Sequence, residues 1–131
     1  MTPHVIDLRV IRNEPPQDGY SAETDAEHYL LGLWLESDVR EGGDDYDIER
    51  LWRNIGAHQR GEAPKVSQTD NAFTIRVEAR VATVWPNPYL AIPKPLVLSL
   101  EDFADTTERW FDVVAPDVAA SLRSIRATWN G

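Results

Sequence analysis

A chain of 131 residues with 42% hydrophobic residues and five Trp has enough apolar surface for one ordinary core, so residues 1–131 read as a single domain. It contains no Cys, which excludes disulfides, zinc thiolate centres, iron–sulfur clusters and cysteine nucleophiles. The net charge of −9 is unevenly spread: residues 1–50 hold thirteen Asp and Glu against four Arg, whereas residues 51–131 hold nine acids and nine bases. A surplus of that sign disfavours nucleic acid and anionic lipid as partners and favours basic proteins.

The first segment, HVIDLRVIR at 4–12, alternates with Ile6, Leu8 and Val10 on one face and reads as a strand. It has no basic region followed by an unbroken apolar run, so a signal peptide is not expected and a cytoplasmic location is the simplest reading. NEPPQDG at 13–19 is a loop, because paired Pro and a terminal Gly continue neither a ladder nor a helix. The next segment, 21–38, carries two signals. Thr24 and Glu27 have capping-box spacing, but Leu31, Leu33 and Leu35 alternate around Gly32 and Trp34, which favours a strand over about 27–37. Gly32 weighs toward the strand, as a bulge or a close backbone contact. Its apolar run, YLLGLWL, is far shorter than the roughly 20 residues of a membrane span.

EGGDDYDIERLWRNIGAH, 41–58, packs five carboxylates into nine positions and then places Ile48, Leu51, Trp52 and Ile55 at helical spacing. A helix is predicted from about Asp45 to Ala57, with its acids at the positive end of the dipole. AFTIRVEARVATVW, 72–85, is predicted as one long half-exposed strand with Phe73, Ile75, Val77, Ala79 and Val81 on the buried face. Val66–Thr69 is its hairpin partner across Asp70-Asn71. After PNP at 86–88 the chain is extended, and Pro93 and Pro95 place it at an edge before a strand at 96–100. Ser99 caps a helix that buries Phe103, Trp110, Phe111 and Val114, and Ala115-Pro116 separates it from a last helix to about Thr128 that buries Val118, Leu122 and Ile125. The predicted class is α+β: an antiparallel sheet of about five strands with about three helices on one face.

No catalytic, cofactor or metal motif survives inspection. A calcium loop counted from Asp45 would need Gly at its sixth position and Glu at its twelfth, where Arg50 and Gly56 stand. His4, His28 and His58 lie far apart and form no two-histidine spacing. The carboxylate pairs Glu36 with Asp38 and Glu101 with Asp102 would need burial to act as acid and base, and the second pair is accounted for by a helix first turn. Ser99, Ser121 and Ser124 lack nucleophile contexts, and Gly42-Gly43 is no phosphate loop.

The reading is therefore a non-enzymatic acidic protein that docks on a basic partner, most concretely an immunity or antitoxin-type inhibitor of a bacterial nuclease toxin, whose cationic cleft these acids would cover. The expected contact residues are Asp38, Glu41, Asp44, Asp45, Tyr46, Asp47 and Glu49, with Trp85 and Tyr89 as a secondary contact. The alternatives are a small cone-shaped enzyme or ligand binder with a pocket holding His28, and a structural subunit that associates through PNPYLAIPKP. The docking reading requires the surplus acids to gather on one face.

Overall fold

The computed structural model describes residues 6–42, 47–90 and 94–130, with the Tyr89 side chain outside that description. The architecture is α+β. Six described strands form two antiparallel sheets, one of two strands and one of four, and four α-helices accompany them, where the sequence led to about five strands and three helices.

β1 (Leu8–Arg12) and β2 (Tyr20–Thr24) form a hairpin with Leu8 opposite Thr24 and Arg12 opposite Tyr20. The intervening loop contains a cis Pro15–Pro16 bond and is closed by Asn13 N–H donating to Gly19 C=O at 2.9 Å. Gly19 has φ +86°, a conformation that suits a residue without Cβ.

The segment read as a strand over 27–37 is helical. A 3₁₀ turn at Ala26–His28 leads into α1 (Tyr29–Trp34) and then a π-helical turn at Leu35–Val39. Leu30, Leu31, Trp34, Leu35 and Val39 are buried, a helical stripe that the more visible alternation of Leu31, Leu33 and Leu35 masked. Of the two reasons for Gly32, a bulge or a close backbone contact, the structure shows the close contact, made from a helix rather than a strand. A Cβ there would lie 3.2 Å from Thr24 Cγ2 and 3.4 Å from Ala22 O, so glycine lets α1 press against β2. That closeness outweighs the roughly 1 kcal/mol that glycine costs within a helix.

α2 (Ile48–Gln59) buries Ile48, Leu51, Trp52 and Ile55 as expected, and Asp47 caps it by accepting Arg50 N–H at 2.9 Å. The four-stranded sheet follows as a meander in the order β3 (Val66–Thr69), β4 (Phe73–Glu78), β5 (Val81–Pro86), β6 (Leu96–Ser99). The predicted continuous strand at 72–85 is thus two strands. It folds back at Ala79-Arg80, with Glu78 opposite Val81. Such a turn needs positive φ, ordinarily signalled by Gly or Asn; Ala79 adopts φ +54° and gave no signal. The turn also reverses the parity, so Phe73, Ile75 and Val77 are buried on β4 but Ala82 and Val84 on β5, leaving Val81 exposed.

α3 (Leu100–Val114) is capped by Ser99 Oγ, which accepts Asp102 N–H at 3.0 Å. α4 (Pro116–Arg126) starts at the proline, buries Leu122 and half-buries Val118 and Ile125. The helices and the covered face of the meander share a core in which Phe103 lies 5.2 Å from Trp34 and 5.7 Å from Trp52 between ring centroids. Within it Glu108, 3% exposed, accepts from Trp52 Nε1 at 3.2 Å and Arg126 Nη1 at 3.0 Å, so its buried charge is paired and hydrogen-bonded. Among the described residues no helix is long and apolar enough to cross a membrane.

Candidate acidic cleft

The π-helical turn positions the site. Its closing bond, Arg40 N–H to Leu35 C=O at 2.7 Å, spans five residues rather than four, and helical irregularities of this kind are enriched at functional positions. Residues on either side of Ser37 then reach in different directions. Glu36 Oε2 accepts Ala22 N–H of β2 at 2.9 Å, while Asp38 accepts Ala72 N–H at 3.1 Å and Phe73 N–H at 3.0 Å at the start of β4. One turn therefore ties the hairpin to the meander. Burial pushes the Asp38 carboxyl above its ordinary value, outweighing the two backbone donors that favour its charged form.

Beyond that turn Arg40 takes φ +53°, and its carbonyl accepts the indole N–H of buried Trp110 at 2.5 Å. Gly42, at φ +72°, lies where a Cβ would touch the Phe111 ring at 3.4 Å. Two aromatic residues of α3 thus anchor the chain as it leaves the turn.

Between the hairpin's loop end and this anchored turn lies a cleft of about 600 Å³, lined by Asn13, Asp18, Tyr20, Glu36, Arg40 and Glu41 and by Ser21, Ser37 and Trp110. Ser21 Oγ donates to Asn13 Oδ1 at 2.8 Å and Ser37 Oγ to Leu33 C=O at 2.5 Å, which fixes both serines on their own walls. Three acidic residues and one basic residue, Arg40, are thus among its lining. Among the described residues neither Asp18 nor Glu41 forms an ion pair, and both are exposed. Five acids of the second half are paired: Asp112 holds Arg123 through bonds of 2.5 and 2.7 Å, Asp105 and Glu108 hold Arg126, Glu101 pairs with Arg80 and Glu62 with Arg60.

No family model, curated protein or solved structure matches the chain. The site's own chemistry therefore carries the functional argument. Of the expected contact residues, Glu41 lines the cleft, Asp38 turns to the sheet, Asp47 caps α2 and Glu49 lies 3.9 Å from Arg53. Asp44, Asp45 and Tyr46 lie outside the described residues, as do His4 and the Tyr89 side chain. Trp85 is 39% exposed on the open face of the meander, with the Arg76 guanidinium 5.2 Å above its ring.

The described acids of the first 50 residues do not gather on one face, as the docking reading required; only Asp18, Glu36 and Glu41 share the cleft, and the centre of that reading narrows to those three. Asp25 and Glu27 follow the far end of β2, about 17 Å along the strand from the loop that holds Asp18. There Asp25, Glu27 and His28 bring ligand-type atoms within 4.8 Å of one another, the grouping closest to a metal site among the described residues. His28 Nδ1, however, sits 2.7 Å from Asp25 Oδ2, a hydrogen-bonding separation. Burial pushes Asp25 up, but the His28 hydrogen bond and charge and the backbone N–H groups of Asp25 and Asp7 prevail and hold it below the ordinary carboxylate value. His28 is buried and does not line the cleft.

The sequence gives no sign of Asp18, in a loop that reads as a connector, or of Tyr20, and it marks Glu36 only as a carboxylate pair with Asp38. What joins them to Glu41 is the return of the hairpin onto the π-helical turn, a long-range contact with no local signature.

Proposed function

We propose that the protein is a non-enzymatic binding module that docks on a basic partner protein, with the cleft between the β1–β2 loop and the turn at 36–41 as the centre of the contact. The observation that carries this reading is that Asp18, Glu36 and Glu41 all line the cleft and that none of the three forms an ion pair among the described residues. An inhibitor of immunity or antitoxin type, covering the cationic cleft of a nuclease, is its most concrete form. Carboxylates that keep their hydration until the partner arrives raise the encounter rate and discriminate against acidic competitors.

Glu36 narrows the chemistry of what enters. One of its oxygens is fixed by Ala22 N–H, so the carboxylate is held at a set angle on the cleft wall, with half-buried Tyr20 also lining the cleft. A planar guanidinium suits that combination better than an ammonium, because it donates two parallel hydrogen bonds to a carboxylate and stacks on an aromatic ring. The proposed anchor is an arginine of the partner. The other sequence-derived contact residues, Asp38, Asp44, Asp45, Tyr46, Asp47 and Glu49, remain part of the proposed contact.

Affinity capture from the native host, with the wild type beside an Asp18→Lys/Glu41→Lys double variant, tests the reading. The wild type is expected to retain a basic protein whose binding weakens as salt rises, and the double variant to lose it. Retention of the same protein with unaltered salt dependence by the variant would place the contact elsewhere.

A further inference from the structure

The turn that joins β4 to β5 is held from outside the sheet. Ala79 sits at φ +54°, a conformation that residues with a Cβ rarely adopt and that persists only where surroundings enforce it. The enforcement comes from the last turn of α2. Ala79 N–H donates to His58 Nε2 at 2.9 Å, Gln59 Nε2 donates to Ala79 C=O at 2.7 Å, and Arg80 Nη1 donates to Gln59 Oε1 at 3.2 Å. The Ala79 residue is thus gripped at both its N–H and its C=O.

The other ring nitrogen of His58 lies 2.9 Å from Ala63 C=O. A carbonyl only accepts and a backbone N–H only donates, so the two partners together assign the ring: Nδ1 carries the proton and Nε2 is bare. A ring protonated on both nitrogens has no acceptor left for Ala79. We propose that His58 is an acid-released latch on the β4–β5 turn, closed while the ring is neutral and opened when Nε2 takes up a proton.

The charged groups on the surrounding elements are Arg60 at the end of α2, Glu62 and Lys65 in the loop beyond it, Glu78 and Arg80 at the turn, and Glu101 of α3, which pairs with Arg80. Among these groups three acids stand against three bases, and two of the acids are paired, Glu62 with Arg60 and Glu101 with Arg80. The turn borders a groove of about 380 Å³ on the open face of the sheet, lined by Arg76, Glu78, Val81, Thr83 and Trp85. Opening the latch frees the end of that groove where Glu78 and Val81 face each other.

Nitrogen NMR of the His58 ring, together with amide exchange expressed as protection factors, tests the latch in the full chain from about pH 8 to about pH 5. At the upper end the Nδ1-protonated tautomer is expected. As the second proton enters, protection of the Ala79 amide should fall about tenfold, the equivalent of one net hydrogen bond, while Ile75 and Val84 keep theirs. His58→Phe should show weak Ala79 protection throughout, with no step. A ring whose neutral form carries its proton on Nε2, or a doubly protonated ring beside a fully protected Ala79 amide, would overturn the proposal.

Discussion

Gly56 is the position where helix propensity and packing make opposite demands, and Gly56→Ala decides between them. In an unencumbered helix the substitution stabilises by about 1 kcal/mol, because alanine restricts the unfolded chain and glycine does not. Here an added Cβ would meet two atoms at 2.9 Å: Arg60 Nη1 and Trp129 Cδ1. The guanidinium can swing, although it is tied to Thr128 C=O at 2.9 Å and to Glu62. The indole has less room, since Trp129 is buried, packs 5.8 Å from Trp52 and donates to Trp52 C=O at 2.9 Å. Moving Cδ1 from 2.9 Å out to an ordinary 3.4 Å displaces the ring by about 0.5 Å and stretches that bond. Overpacking costs about 1–3 kcal/mol and a weakened buried hydrogen bond about 1 kcal/mol, so the net expectation is a loss of roughly 1–3 kcal/mol. Urea unfolding followed by circular dichroism measures it as a lower midpoint at unchanged slope. A variant at least as stable as the parent would mean that α4 yields freely at Trp129, and the packing argument would be wrong.

Truncating Glu108 to Ala strands the buried Trp52 N–H and one contact of Arg126, and a loss of about 3–5 kcal/mol in the same assay is expected, against a much smaller one for exposed Asp105→Ala. The Arg123 hydrogen bond and charge hold Asp112 below the ordinary carboxylate value of 3.8, so its contribution is present above that pH and lost as pH falls through the lower folded value; Asp112→Asn should flatten the acid limb of a stability–pH curve in that window. Asp38 has the opposite sign. Burial raises it above 3.8, the folded state holds this proton more firmly than the unfolded chain, and stability should fall as pH rises just above 3.8, a decline that Asp38→Asn should abolish. A decline that persists in Asp38→Asn would assign it to another group.

Elements whose apolar residues repeat at one clear period could be read directly. α2, α3 and α4 announced themselves through Ile48/Leu51/Trp52/Ile55, through Phe103/Trp110/Phe111 and through the Ala115-Pro116 break, because each stripe coincided with a cap or a proline. The hairpin across Asp70-Asn71 was equally plain, with Asp70 N–H bonded to Phe73 C=O at 2.9 Å. The failures have two causes: a local pattern that fits two periods, and a turn without turn residues. Leu31, Leu33 and Leu35 alternate, yet the buried residues of that run are Leu30, Leu31, Trp34, Leu35 and Val39, and the contact of Gly32 with β2 that settles it lies eight residues away. Ala79 carried no turn chemistry at all, because what stabilises its backbone is His58 and Gln59 from another element. The cleft was legible only at Glu41, since its other carboxylates are recruited by the fold.

Among the described residues the hairpin and the meander share no backbone ladder; besides the helices packed against both, two carboxylate side chains on a single turn tie them together. Replacing Glu36 by Asp would take one methylene, about 1.5 Å, out of that tether and draw the hairpin inward while leaving every strand pairing as it is. The mouth of the acidic cleft is in that sense adjustable by one carbon atom, without redesigning either sheet.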